Sequence, residues 1–212
     1  MQFTTLDTQT LANAAAVLAR RDKQLAQILK THGRPPLWRR PATFSTLVKI
    51  ILEQQVSLKS AASMFRKLQH SITPFTPERI VEVGSEYLRQ LGVTRQKTSY
   101  LLNLSAAVVD GSLNLRRLSR LSDGEVKEAL TRIKGLGSWS ADVYLLMAMR
   151  RADIWPAGDL ALAIAIKELH GLERRPTFEE LEVIAEKWRP HRAVAARMLW
   201  QYYLARRANG KA

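Results

Sequence analysis

Leu130-Thr131-Arg132-Ile133-Lys134-Gly135-Leu136-Gly137-Ser138-Trp139-Ser140-Ala141-Asp142, closed further on by Trp155-Pro156-Ala157-Gly158-Asp159, is the stretch that decides how this chain is read. Its first part predicts a helix, a hairpin with two glycines and a second helix. Glycine reaches positive φ without a Cβ penalty and lets another backbone come close, as a turn that grips a phosphate requires. Ser138 is suited to cap the second helix, whose N–H groups and positive dipole end would face an anion. The Trp-Pro-Ala-Gly loop then delivers one carboxylate, Asp159, to the start of another helix, where the dipole favours its ionised form. On position alone such an aspartate is an ordinary helix N-cap.

Composition sets the bounds around this stretch. A chain of 212 residues can bury a good core, as one domain or as two small lobes. Its 33 Lys and Arg against 19 Asp and Glu leave a formal charge of +14, which points to a polyanionic partner. A solvated basic surface or a non-specific RNA binder would carry the same charge. There is no cysteine, which excludes disulfides, thiolate nucleophiles, zinc fingers and cysteine-ligated iron–sulfur clusters together. His32, His70, His170 and His191 are scattered, without metal-ligand spacing. No signal peptide and no apolar stretch of membrane-spanning length is evident, so a cytoplasmic, nucleoid-associated protein is expected.

Helical punctuation runs through the rest, and strand alternation is nearly absent. Helices are expected over Leu11–Ala19, from Asp22 to Thr31, from Thr43 to the Glu53-Gln54-Gln55-Val56 junction, and from Ser57 onward. The segment from His32 to Pro41 holds three prolines and a glycine and is read as a surface loop with Trp38 tucked onto the core. Thr76-Pro77 starts another helix, Gly92 marks a tight corner, and Ser122 to Glu125 and Thr177 to Glu180 are capping boxes. Asp159 leads a helix through Lys167, and a last one runs from about Pro190 to Arg207 with Trp200, Tyr202 and Tyr203. The adjacent amides of Gln54 and Gln55 can wedge into a base stack or read base edges; taken alone, such amides usually bond locally. No internal repeat or low-complexity tract is visible.

Hairpin and aspartate together resemble the helix–hairpin–helix DNA glycosylase superfamily, HhH-GPD, in its alkylbase branch of the AlkA type, 3-methyladenine DNA glycosylase II. Ile133 to Asp142 matches the hairpin and Trp155 to Leu160 the aspartate loop. Leu52 to Ser57, Gly92 to Leu101 and Trp188 to Arg192 are similar to further segments of that branch, so the likeness covers roughly Thr43 to Tyr203. It implies an all-α fold of two helical lobes with an active-site cleft between them. One lobe would span 43–150 and carry the hairpin; the other would join 1–42 to 151–212 and carry the aspartate loop.

The resemblance also implies roles. Asp159 matches the catalytic aspartate, and Trp139 stands where bifunctional relatives carry a Schiff-base lysine, so base removal without strand cleavage is expected. Trp139 and Trp200 can stack on an electron-poor, cationic base, with plain core packing as the competing reading, and Val143, with Tyr144 beside it, falls where some relatives place a pocket aromatic. Gln55, beside Gln54, falls where a residue fills the gap left by an extruded nucleotide. Lys134, Gly135, Leu136, Gly137 and Ser138 would hold the DNA backbone. The carbonyls of Thr131, Ile133 and Leu136 match those that bind a structural Na+ or K+; no other cofactor is implied. The expected partner is double-stranded DNA containing damaged bases, with no membrane and a monomeric protein. Two departures stand out: Gly158 precedes a single aspartate where some relatives have two, and Val143 replaces a pocket aromatic.

The function implied is hydrolysis of the N-glycosidic bond of alkylated purines such as 3-methyladenine and 7-methylguanine in base excision repair. An alkylated purine already carries positive charge and leaves readily, so one carboxylate beneath C1′ suffices without a second acid. The same fold acting on deaminated or oxidised bases such as hypoxanthine, or a non-catalytic hairpin module for DNA binding, are the competing readings.

Overall fold

The computed structural model describes residues 4–208 and Gly210. Among them are twelve helices and no strand. In chain order these are α1 (Thr8–Arg21), α2 (Lys23–His32), α3 (Phe44–Glu53), α4 (Leu58–Ser71), α5 (Pro77–Gln90) and α6 (Arg95–Val109), then α7 (Leu115–Leu118), α8 (Asp123–Thr131), α9 (Ser138–Met147), α10 (Leu160–His170), α11 (Phe178–Glu186) and α12 (Arg192–Ala208). None is long and apolar enough to cross a membrane.

Most starts follow from local side-chain chemistry. Asp22, Ser57, Thr76, Thr94, Ser122, Asp159 and Thr177 each accept a backbone N–H of the helix they precede, relieving one of its orphan donors. Helix α1 starts earlier than Leu11 because Asp7 and Thr10 form a reciprocal box. Thr43 occupies the N-cap of α3 but makes no side-chain bond there. The one-turn α7, capped by Asn114, has too few residues to show periodicity.

The chain divides into two compact units, one drawn from Met1–Arg39 and Arg150–Ala212, the other from Arg40–Met149. In the second, the apolar face of α3 (Leu47, Ile50, Ile51) is wholly buried and packs with α6 and α9, while α5 lies along α6. In the first, α12 packs against α10, α2 and α1, with Ala193, Val194, Ala196 and Met198 fully covered. An isolated bridge between Thr5 and Arg151, with Leu6 N donating to Arg150 O at 2.8 Å, ties the chain's start into that unit.

Candidate active site and nucleic-acid interface

The hairpin belongs to the Arg40–Met149 unit. Leu130 and Ile133 carbonyls accept from Ile133 N and Leu136 N at 3.1 and 2.9 Å, tightening the exit of α8 into a turn. Buried Leu136 anchors the tip, while Lys134, Gly137 and Ser138 are exposed. Gly135 has φ 107°, and a Cβ there would stand 2.3 Å from Tyr100 Cγ. Glycine is therefore required at this position twice over, by conformation and by the ring beneath it. At Gly137 the surroundings are the opposite: an added Cβ would meet nothing within 4 Å.

Gly137, not Ser138, is the N-cap of α9, and no side chain caps that helix. The expectation that Ser138 caps is thus corrected. Ser138 is the first helical residue, and its hydroxyl donates to Asp142 at 3.5 Å. Asp142, buried, also pairs with Lys127 at 2.8 Å. The uncapped first turn of α9 leaves backbone donors at an exposed helix start, an arrangement suited to an anion.

Gln54 and Gln55 divide their work. Gln54 Nε2 donates to Gly135 O at 2.8 Å and to Ser140 Oγ at 3.0 Å, so its amide serves the hairpin from within. Gln55 is exposed with φ 58° in the left-handed region. Trp139 is half-buried on the first turn of α9. Val143 and Tyr144 are 2% and 0% exposed, and burial pushes the Tyr144 phenol up to about 12. These two side chains offer no open surface.

In the other unit, Asp159 is the N-cap of α10. The loop before it is closed by Ala157 N on Trp155 O (3.1 Å) and Asp159 N on Pro156 O (3.0 Å). Asp159 Oδ1 accepts from Leu162 N and from Trp200 Nε1, each at 3.0 Å. Both residues of this side-chain pair are buried, at 8% and 7% exposure. Asp159 is therefore a cap, as position alone would say, and also a carboxylate aimed by an indole 41 residues downstream.

Trp38, expected to tuck onto the core, is half-buried and joins this cluster. Its backbone has φ 44°, and its ring stands edge-on to Trp200 at 6.2 Å. The preceding Leu37 carbonyl is gripped by Arg197 Nε at 3.1 Å, and Arg197 Nη1 also bonds Ala193 O. Burial lowers the Arg197 guanidinium to about 10. The available signal was the spacing of Arg197 with Ala193 and Trp200 along one inward stripe of α12. Behind the aspartate loop, Trp155 packs on Trp188 at 5.3 Å, and Trp188 Nε1 donates to Asp22 at 3.0 Å. Asp153 is engaged by Arg192 and Arg189 and is structural. Among the described residues no group of three or more His, Asp and Glu could hold a metal ion.

Comparison with known proteins agrees with this geometry. The profile of the HhH-GPD superfamily base excision DNA repair proteins matches residues 48–191. DNA-3-methyladenine glycosylase 1 of Schizosaccharomyces pombe is 28% identical over 184 residues, covering 84% of this chain and 80% of its own. A longer relative from Bacillus subtilis is 25% identical over 185 residues, and the chain spans 64% of that protein's length. Among solved structures, S. pombe 3-methyladenine DNA glycosylase in complex with abasic DNA has a TM-score of 0.82 at 29% identity, covering 89% of this chain and 95% of that one. DNA-3-methyladenine glycosidase of Bacillus halodurans has a TM-score of 0.76 at 28% identity, with 96% and 93% covered. With the hairpin, the aspartate loop and the profile falling on the same residues, this chain belongs to the HhH-GPD superfamily of base excision DNA repair proteins.

Proposed function

We propose that the chain is a monofunctional DNA glycosylase that hydrolyses the N-glycosidic bond of alkylated purines in duplex DNA and leaves an abasic site. The observation that carries this is the Asp159 carboxylate, with Oδ1 held by Leu162 N and Trp200 Nε1 at 3.0 Å. A fixed carboxylate stabilises the oxocarbenium-like sugar as the bond to the base breaks. The bonding pair leaves with the base, water adds at C1′, and the water's proton passes to Asp159 or solvent. The names of the relatives, 3-methyladenine glycosylases, support the substrate class. Trp139 supports the absence of lyase chemistry, because an indole has no amine to attack C1′.

The remaining assignments follow the same reading. Trp200, beside Trp38, supplies an electron-rich face that favours a cationic base over its unmodified parent. Gln55 fills the gap left by the extruded nucleotide. The exposed amides at Gly137 and Ser138 hold a phosphate, with Lys134 beside them, positioning the strand without reading its sequence. The carbonyls of Thr131, Ile133 and Leu136 are neutral oxygens of the hairpin and would hold a monovalent cation, Na+ or K+. Ile133 O already accepts from Leu136 N, which leaves it a second lone pair for such an ion. Bound there, the cation would add positive charge beside the phosphate. The protein is read as monomeric, acting in the cytoplasm on nucleoid DNA.

Base release from methylated duplex DNA is the test. Free 3-methyladenine and 7-methylguanine should appear without strand scission, and borohydride should trap no covalent complex. Release of hypoxanthine or an oxidised base alone would move the substrate class; release of nothing would leave a DNA-binding protein.

A further inference from the structure

The turn that presents Gln55 has an unusual backbone and an unusual number of internal braces. A non-glycine residue at φ 58° sits in a sparsely populated region and persists only when its surroundings over-determine it. Three polar braces do so here. Arg40 clasps Glu53 with a two-pronged pair at 2.8 and 2.9 Å. Lys97 Nζ, from α6, donates to Leu52 O at 2.6 Å, satisfying a carbonyl in the last turn of α3. Burial lowers the Lys97 ammonium from its ordinary value, so holding it there costs stability. Gln54 Nε2 bonds Gly135 O and Ser140 Oγ, partners 81 and 86 residues away.

The Gln54 contacts land on particular atoms. Gly135 is the glycine whose conformation makes the hairpin, and Ser140 lies in the first turn of α9. One amide therefore ties the residue before Gln55 to the hairpin glycine and to the helix start behind it. Gly135 is itself seated on Tyr100, which lies in the same helix as Lys97. The Gln55 turn, the hairpin and α6 are thus linked by polar contacts to backbone atoms, and these fix position more strictly than apolar packing does.

We infer that Gln54 and Lys97 are positioning residues that hold the Gln55 turn and the hairpin in one fixed spacing, so that strand grip and gap filling act as a single step. Both side chains act through the atoms they hold. Their contribution falls on extruding the nucleotide, whose cost is a few kcal/mol for a paired base and less for an unpaired one. This rests on Gln55 filling the gap, as proposed above.

The test uses the full chain with Gln54→Leu, Lys97→Met and the milder Ser140→Ala, which removes only one acceptor. Each variant meets two duplexes, with 7-methylguanine paired to cytosine or opposite an abasic gap. 2-Aminopurine beside the lesion reports unstacking separately from base release. On the paired lesion Gln54→Leu, which removes both hydrogen bonds, should slow release at least about tenfold, with a matching loss of the fluorescence rise. Opposite the gap both readouts should return to near wild type, and Lys97→Met should follow the same pattern. Lys97→Arg, which keeps a donor, should retain most activity. Equal loss on both duplexes would assign these residues to stability alone and overturn the inference, as would wild-type behaviour on the paired lesion. If Gln54→Leu fails to fold, Ser140→Ala must show the same substrate dependence at smaller size, or the inference fails. Wild-type protein that raises the fluorescence but releases no base would sink the glycosylase reading while leaving the positioning role standing.

Discussion

Replacing Trp200 by Phe removes one hydrogen bond from the proposed catalytic carboxylate and keeps an aromatic ring in place. Indole Nε1 lies 3.0 Å from Asp159 Oδ1, with both residues buried. A hydrogen bond to a charged group is worth about 1.5–3 kcal/mol. Leu162 N remains as a second donor to the same oxygen, so the carboxylate keeps its cap but loses the restraint the indole supplies. If that restraint acts wholly in the transition state, the loss slows the chemical step about 10- to 150-fold. Folding also loses stability, but by less than the ~3–5 kcal/mol of a full truncation to alanine, because Phe refills most of the space. Single-turnover release of 7-methylguanine, beside thermal unfolding of the same samples, separates the two effects. A Trp200→Phe variant with an unchanged single-turnover rate would refute the reasoning, since the indole would then be packing alone.

Other outcomes follow from the same geometry. Gly135→Ala places a methyl on Tyr100 at a positive φ and should destabilise the hairpin by at least the ~1–2 kcal/mol of left-handed strain, read by thermal unfolding. Gly137→Ala meets no neighbour, so stability should stay within about 0.5 kcal/mol while affinity for an abasic-analogue duplex falls. Burial raises the Asp22 carboxyl, but the bonds from Lys187, Trp188 and Leu25 N outweigh it and leave the folded group below its ordinary value. The stability Asp22 contributes is therefore fully present above its unfolded pKa, about 3.9, and is lost as pH falls through the lower folded value. Asp22→Asn should flatten the acid limb of a melting-temperature profile; an unchanged limb would contradict the pairing. DNA affinity should fall linearly with salt on logarithmic axes, by about 0.9 per phosphate neutralised. A flat response would leave the +14 charge without a DNA role.

Helix starts were legible because they are short-range: Ser122 with Glu125 and Thr177 with Glu180 bond across three residues, within sight of any local pattern. Asp159 was legible as a cap, and its proposed catalytic role came from the resemblance. Its bond from Trp200 was not, since nothing local connects residues 41 apart. Gln54 and Gln55 look equivalent in sequence, and only folding separates them, turning one amide inward onto Gly135 and leaving the other exposed. The inward turn of Trp38 was legible, but its partners were not, since the Arg197 grip on Leu37 O and the ring contact with Trp200 join residues far apart in the chain. Ser138 is a good capping residue by type, but the turn closes one residue earlier, at Gly137.

In the proposed reaction the charge of Asp159, beyond its capping bond, drives base release. Asparagine keeps an oxygen for Leu162 N and Trp200 Nε1, so Asp159→Asn tests charge at nearly constant structure. The decisive measurement is single-turnover excision of 7-methylguanine by Asp159→Asn protein that still binds an abasic-analogue duplex as wild type does. Excision should fall about a hundredfold or more, the scale of removing one preorganised electrostatic group. Excision at the wild-type rate would contradict that role of the charge.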